Sequence, residues 1–302
     1  MSPAAADGFG PSPGRAAPDQ AAVPASQDGE PIPIRPLHFR ELLDLPFALI
    51  QSRIRTLAGL IGAGWLIAAV LSFALTALGA VATHGSDTGT LWSAIVSVAV
   101  LAWLLRWYIR GVTVSIGLGQ VFGGPLARRG AVAGLGANFG PLLLDRLIYS
   151  VLGIGVPVLG ALLVITLPPA LAWLARLRAA RLVAMPALVA EAAPYRTAVA
   201  RAKMLAGGAE WRLAGLWLAL RGLVWVLAVP LLGIPLFFSD VTGTRRWTVT
   251  ALIIGWVLLI VALAEAVESA AAVVAYVDRR CRREALDITI PVSDNGFAGV
   301  RR

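Results

Sequence analysis

Residues 57–81 read LAGLIGAGWLIAAVLSFALTALGAV and carry no charge over 25 positions. A helix needs about 20 mostly apolar residues to cross the hydrocarbon core of a bilayer. The stretch therefore predicts a transmembrane helix, and the chain around it is interpreted as an integral membrane protein.

The composition of the whole chain agrees with that interpretation. Of its 302 residues 58% are hydrophobic and 14% charged, and the mean hydropathy is +0.78. The formal net charge is +9, with Lys203 as the one lysine among 26 basic residues. Such an excess can attract nucleic acid, but bases are also expected on the cytoplasmic flanks of membrane spans. We therefore expect the lipid bilayer as a partner, and no nucleic acid.

The predicted fold is an all-α, polytopic helical membrane bundle of about six transmembrane helices. The predicted spans are 57–81, 91–109, 147–167, 170–189, 213–238 and 248–277. The fourth is the weakest, because it holds three arginines at depths where charge is costly. A half-membrane or tilted helix stays an alternative there.

Less apolar segments flank this helical membrane domain, which is predicted to cover 37–285. Residues 1–36 are rich in Pro and Ala and lack the apolar run of a signal peptide, so they predict a disordered cytoplasmic tail. Apolar and charged residues alternate at near-helical spacing over 37–54, which predicts an N-terminal helix lying in the membrane interface. Residues 286–302 form a predicted C-terminal tail.

Basic residues in the short loops set the predicted orientation. The three predicted outer loops carry only Arg245 and Arg246, whereas every inner segment carries at least four bases. By the positive-inside rule, both termini are expected in the cytoplasm.

Charged residues inside the predicted spans are the main candidate site. They are expensive in lipid and usually face the bundle, a partner or water. The candidate polar cluster comprises Arg106, Arg176, Arg178, Arg181, Arg221, Glu265 and Glu268. It suits either a cytoplasmic cavity for an anionic lipid headgroup or small anion, or structural ion pairs with arginines reaching to the interface.

Small residues recur every fourth position along one predicted helix face: Gly111, Ser115, Gly119 and Gly123. Such a face permits close helix packing. It predicts packing within the bundle, or alternatively the interface of a homo-oligomer.

Catalytic chemistry finds little support in the sequence. Metal or nucleophilic sites need clustered ligands or a nucleophile with its base, and the chain offers only His38, His84 and Cys281. We expect no catalytic site, no metal and no cofactor.

Three groups of short motifs resemble a known family. The first is Arg35-Pro36-Leu37 with 41–44 (ELLD). The second is 185–189 (MPALV) with Glu191, 201–205 and 207–212. The third is 276–280 (YVDRR) with 282–287 (RREALD). Together they resemble uncharacterised bacterial membrane proteins related to the glycerophosphoryl diester phosphodiesterase membrane domain.

The resemblance implies a multi-pass architecture in a bacterial plasma membrane, without the phosphodiesterase's catalytic domain. Two features depart from the family pattern. Ala285 stands where the family usually has glycine, and Glu265 and Glu268 lie in a last span that is usually less charged.

These observations favour a non-enzymatic scaffold or accessory subunit of the cell envelope, which contacts anionic headgroups or a membrane-protein partner. The alternative is a small transporter or anionic-lipid-binding protein that uses the Arg/Glu cluster in the inner leaflet.

Overall fold

The structure is a computed structural model that describes residues 35–122, 140, 143–144, 147–148, 150–151, 153, 167–191, 194–242 and 246–285. All of them belong to one compact unit, Pro31–Arg302. They form helices and short turns, and this part of the chain contains no strand. The all-α fold is therefore confirmed for the described residues. The predicted tails lie outside them, apart from Arg35 and Pro36.

Eight helices have defined bounds in the described part of the chain. In chain order they are α1 (Phe39–Ser52), α2 (Ile54–Ala82), α3 (Asp87–Phe122), α4 (Leu167–Leu182), α5 (Ala184–Glu191), α6 (Tyr195–Ala206), α7 (Glu210–Thr242) and α8 (Arg246–Glu284).

Four of these helices contain segments long and apolar enough to cross a membrane: Ile54–Ala82, Asp87–Phe122, Glu210–Leu231 and Trp247–Glu284. They correspond to the first, second, fifth and sixth predicted spans. The protein is thus a helical integral membrane protein, although six spans are not seen among the described residues.

Two of the long helices extend well beyond their predicted spans. α3 has 36 residues and α8 has 39, so at 1.5 Å per residue they are roughly 54 and 58 Å long, against a hydrocarbon core of about 30 Å. The second span was predicted to end at Ile109 because Arg110 follows it. Residues 111–122 carry no charge, and Arg110 is paired inside the bundle, so the helix continues past the predicted end.

The predicted fourth span, 170–189, is wrong as a single helix. The chain forms α4 and the eight-residue α5, with a break at Val183. Pro186 lacks an amide hydrogen and is accommodated most easily in the first turn of a helix, and here it occupies the first turn of α5. At roughly 24 and 12 Å, neither helix crosses the hydrocarbon core alone. Most of the predicted third span, 147–167, lies outside the described residues.

α2 and α3 pack antiparallel along their whole apolar length. Near one end the Tyr108 hydroxyl donates to the Leu60 carbonyl over 3.2 Å, and further along the hydroxyls of Ser72 and Ser97 lie 3.1 Å apart. α8 runs parallel to α3, and α7 runs antiparallel to α8. The first residues of α2 and α7 therefore lie at the same end as the last residues of α3 and α8. We call this the basic end.

The largest apolar core lies at the basic end, where α1, α5 and α6 surround the C-terminal halves of α3 and α8. α1 buries Leu42, Pro46 and Leu49, so the apolar face of the predicted interfacial helix is turned largely towards the bundle. Away from this end α2 exposes apolar side chains such as Leu66, Val70 and Leu78. That surface suits hydrocarbon rather than water.

Candidate functional site

The parallel packing of α3 on α8 brings charged side chains together in the middle of both helices. Arg106 and Arg110 are four residues apart, and Glu265 and Glu268 are three apart, so each pair occupies one helix face. Arg106 Nε lies 2.7 Å from Glu265 Oε2, and Arg110 Nε lies 2.7 Å from Glu265 Oε1. The Glu265 carboxylate is therefore held between two guanidinium groups.

Arg110 also joins the two carboxylates. Its Nη2 lies 3.0 Å from Glu268 Oε1, and the Glu265 side chain is fully buried. From α7, Arg221 Nη1 approaches Glu268 Oε2 to 3.7 Å. These five side chains, Arg106, Arg110, Arg221, Glu265 and Glu268, are called the carboxylate cluster below. They connect three of the four long apolar helices.

The ion pair from α7 to the cluster is longer than the ion pairs between α3 and α8. Beside Arg221 and Glu268 lies a cavity of about 10 Å³, also lined by Trp217. The indole Nε1 of Trp217 is buried and has no hydrogen-bond partner among the described residues. The cavity is at the lower limit of the space that one water molecule needs.

The depth of the cluster follows from the helix rise. Counted from Leu91 in α3 and from Trp247 in α8, a core of about 30 Å ends near Gly111 and Val267. The carboxylate cluster therefore lies where the hydrocarbon core meets the basic end.

Not all the predicted cluster residues meet there. Arg176 lies on an exposed surface, 2.7 Å from Glu210 and against the ring of Trp211. Arg178 is buried, with its guanidinium 5.2 Å from the Trp217 ring centre. The Arg221 guanidinium lies 5.7 Å from the same ring, which gives two cation–π contacts on one indole. Arg178 thus lies next to the cluster, whereas Arg176 is apart from it.

Arg181 is half-buried at the end of α4, and its Nη1 is buried without a hydrogen-bond partner. No ion pair connects its side chain to the cluster within the described residues.

Arg110 is the residue of the carboxylate cluster that the sequence interpretation left out. It was taken to mark the cytoplasmic end of the second span. The spacing of four residues from Arg106, matched by the close spacing of Glu265 and Glu268, was the signal that could have found it.

The predicted small-residue face lies on α3 as far as it is described. Ser115 and Gly119 line a groove of about 340 Å³ together with Phe122 and Arg280. Gly111 is buried, and Gly123 lies outside the described residues. Gly117, which is outside the predicted set, approaches α8 closely: a Cβ there would lie 3.2 Å from Val273.

A second set of arginines binds backbone carbonyls at the basic end. The Leu37 amide donates to Asp278 Oδ1 over 2.8 Å, and the Leu37 carbonyl accepts from Arg212 and from Arg282 Nη2. Arg282 Nε also lies 2.9 Å from Asp278 Oδ1. Leu37 is fully buried, so both of its backbone polar groups are satisfied.

The end of α6 is held in the same way. Arg279 donates to the carbonyls of Leu205 and Gly207 over 2.8 and 3.2 Å, and Arg283 also donates to Gly207. Helix C-termini leave their last carbonyls without intrahelical partners, and these guanidiniums donate hydrogen bonds to them. The two sets of contacts together are called the carbonyl clamp: Leu37, Leu205, Gly207, Arg212, Asp278, Arg279, Arg282 and Arg283.

A ring of polar contacts adjoins the clamp. The Tyr276 hydroxyl donates to Glu191 over 3.0 Å, and Arg201 lies 3.1 Å from Glu191 and 2.6 Å from Glu284. Arg280 lies 2.9 Å from Glu284 and contacts the Tyr276 ring. The ring joins α5 and α6 to α8. The three motif groups of the sequence thus meet at the basic end.

The residues considered for metal or nucleophilic chemistry are dispersed. His38 is exposed before α1 at the basic end, and His84 is exposed in the turn at the opposite end. Cys281 is buried on α8. The described residues contain no group of three or more His, Cys, Asp or Glu side chains that would hold a metal ion.

Fold and site together define a multi-pass helical membrane protein with paired charges at the edge of its apolar region. No protein-family model, no curated protein and no solved structure matches this chain.

Proposed function

We propose that this protein lies in a bacterial plasma membrane with its basic end and both termini in the cytoplasm. The helix directions support this orientation. The first residues of α2 and α7 and the last residues of α3 and α8 lie at the basic end, together with α1, α5 and α6. In sequence, the residues between α2 and α3 (83–86) and between α7 and α8 (243–245) include one base, Arg245, and Arg246 is the first residue of α8. The positive-inside rule then places the basic end inside.

Within that membrane, the protein acts as a non-enzymatic scaffold or accessory subunit. The observation that supports this proposal is that the charged groups of the carboxylate cluster pair with one another. Glu265 and Glu268 face Arg106, Arg110 and Arg221, and the adjoining cavity holds about 10 Å³.

The alternative of a small transporter requires charges that face a common cavity. A larger groove of about 740 Å³ does lie between α3 and α8, beside Leu91, Ile95 and Ile253. Its described lining includes one charged residue, Asp87, and no Arg or Glu. Its nearest residues are about two helical turns from the cluster, so the groove does not include the cluster charges. The charges of the cluster therefore stabilise helix packing in this proposal.

We also propose kinship with the membrane proteins related to the glycerophosphoryl diester phosphodiesterase membrane domain. The support is geometric: the motifs around Leu37, Gly207 and Asp278 contact one another, so a shared function of that end would explain their presence in one chain.

The deciding experiment is gentle extraction of the tagged full chain from its native membrane, with mass spectrometry of the retained proteins and lipids. The proposal expects a stoichiometric membrane-protein partner that survives a salt wash. A protein without such a partner, enriched in one anionic lipid, would contradict it and favour the lipid-binding or transport alternative.

A charge-balanced variant sharpens that experiment. R110M/E265M removes one positive and one negative charge, and leaves Glu268 as the one carboxylate of the cluster that faces Arg106 and Arg221. An accessory subunit should keep its partner in this variant, because the basic end is unchanged. Loss of a transport phenotype from a folded R110M/E265M protein would show that the cluster has a direct role in transport.

A further inference from the structure

Most bases at the basic end are already engaged inside the protein. Arg212, Arg279, Arg282 and Arg283 donate to backbone carbonyls. Arg201 and Arg280 pair with Glu284. A guanidinium with these partners is a poor candidate for holding lipid headgroups, so the bases that contact lipid must be sought elsewhere.

The corner between α1 and α2 carries two bases of a different kind, Arg53 and Arg55. Arg55 is exposed and Arg53 half-exposed, and neither guanidinium has an ion pair or hydrogen bond among the described residues. Ile54 between them exposes 54% of its surface. An exposed apolar residue flanked by two unpaired bases is typical of a surface that meets both hydrocarbon and headgroups.

No acidic residue competes for these two bases along the chain. The sequence contains no Asp or Glu between Asp44 and Asp87. Within the described part of the chain, the corner therefore keeps two positive charges that an external anion can neutralise.

The depth of the corner matches the headgroup layer. The uncharged stretch 57–81 is about 37 Å long as a helix, whereas a bilayer measures about 40–45 Å including its headgroups. Arg55 and Arg53 come directly before this stretch, where lipid phosphates lie. By contrast, Arg279 is 12 residues past Val267 and so roughly 18 Å beyond the hydrocarbon edge.

We propose that Arg53 and Arg55 form a binding site for the phosphodiester headgroup of anionic phospholipids, with Ile54 in contact with the acyl chains. The site rests on the proposed orientation of the protein. It assigns the headgroup contact to the α1–α2 corner rather than to the arginines at the end of α8.

The test uses the purified full chain in detergent micelles, titrated with phosphatidylglycerol or phosphatidylcholine and followed by native mass spectrometry at low salt. The wild type is expected to prefer phosphatidylglycerol. A base near an anionic surface contributes about 1 kcal/mol, so R53Q/R55Q is expected to lower that preference roughly 30-fold. R53K/R55K should keep most of it, because it keeps both charges.

The matched control is R196Q/K203Q, which removes two exposed bases from α6. α6 is joined to Arg279 through Leu205, beyond the headgroup layer, so the lipid preference should remain. Equal loss in this control, no preference in the wild type, or full preference in R53Q/R55Q would each overturn the site.

A second measurement needs no substitution. Phosphatidylglycerol with a photoreactive group near its phosphate should crosslink to residues 51–56. Crosslinks at 276–284 instead would overturn the proposal. Because the purified chain is used alone, failure of this site is distinguishable from the absence of a protein partner in the extraction experiment.

Discussion

The carboxylate cluster and the carbonyl clamp use arginine in two different ways. In the cluster, guanidiniums of α3 and α7 meet the buried carboxylates of α8, Glu265 and Glu268. In the clamp, guanidiniums of α7 and α8 mostly meet backbone carbonyls, at Leu37, Leu205 and Gly207.

The difference lies in what each set holds. A buried ion pair costs desolvation energy, and leaving one partner alone costs more, so the cluster fixes how long helices sit against each other. Carbonyls at chain ends and turns need donors in any case, so the clamp fastens local segments to α8. Damage to the cluster should be global, and damage to the clamp should be local.

The largest effect is expected from Glu265→Gln, which leaves Arg106 and Arg110 facing a neutral amide. Breaking one partner of a buried ion pair costs about 3–5 kcal/mol of unfolding free energy. Unfolding in mixed micelles with increasing sodium dodecyl sulfate, followed by tryptophan fluorescence, measures it. R110M/E265M should recover part of the loss, and a double variant no more stable than E265Q would contradict the pairing.

A smaller and local effect is expected from Asp278→Ala in the clamp. It leaves the buried Leu37 amide without its acceptor and Arg282 without its carboxylate, which costs about 2–3 kcal/mol. Trypsin should then cut faster after Arg40, while the long helices stay protected. Cleavage throughout the chain at the same rate would show that the clamp is not local.

A still smaller effect is expected from Arg279→Lys. An ammonium group cannot reproduce the planar fork that reaches the Leu205 and Gly207 carbonyls together, and one lost hydrogen bond costs about 1 kcal/mol. Arg110→Lys is the comparison in the cluster, and its unfolding free energy should fall further, because Arg110 joins two carboxylates. Equal losses would remove the distinction between the two sets.

The smallest effect concerns the start of α1 and depends on pH. The His38 amide donates to Glu41 over 2.7 Å, and Arg35 pairs with the same carboxylate. These contacts hold the pKa of Glu41 below its ordinary value.

The lowered pKa gives the sign of that pH dependence. Since a lowered pKa in the folded state stabilises only while the group is ionised, this contribution is present above the ordinary pKa of a glutamate and is lost as pH falls through the lowered one. Amide exchange at His38 should therefore be faster in E41Q than in the wild type at neutral pH. The two should converge in acid, and a difference that persists at pH 2 would contradict this origin.

Several features were predictable because they depend on local pattern. The uncharged run 57–81 coincides with α2, and the start of the sixth span coincides with Trp247 in α8. The break at Val183 could also be predicted, because proline is favoured in the first turn of a helix and Pro186 follows shortly after. It was overlooked because the apolar pattern continues through it.

The partners of the charged residues were not predictable in the same way. Arg176 and Arg178 are two positions apart and so lie on different faces of α4, but the pattern does not say which face meets α7. Arg178 contacts Trp217, whereas Arg176 remains exposed. Likewise, the sequence predicts contact with anionic headgroups but not which bases make it, and three of the four arginines in 279–283 donate to backbone carbonyls.

By itself the sequence determined that this chain is an α-helical membrane protein, because the transfer of long uncharged stretches from water to lipid depends on composition and length alone. Only the tertiary structure decided which arginines meet which carboxylates. The parallel register of α3 on α8 sets that pairing, through side chains more than 150 positions apart, and no local periodicity contains such a register.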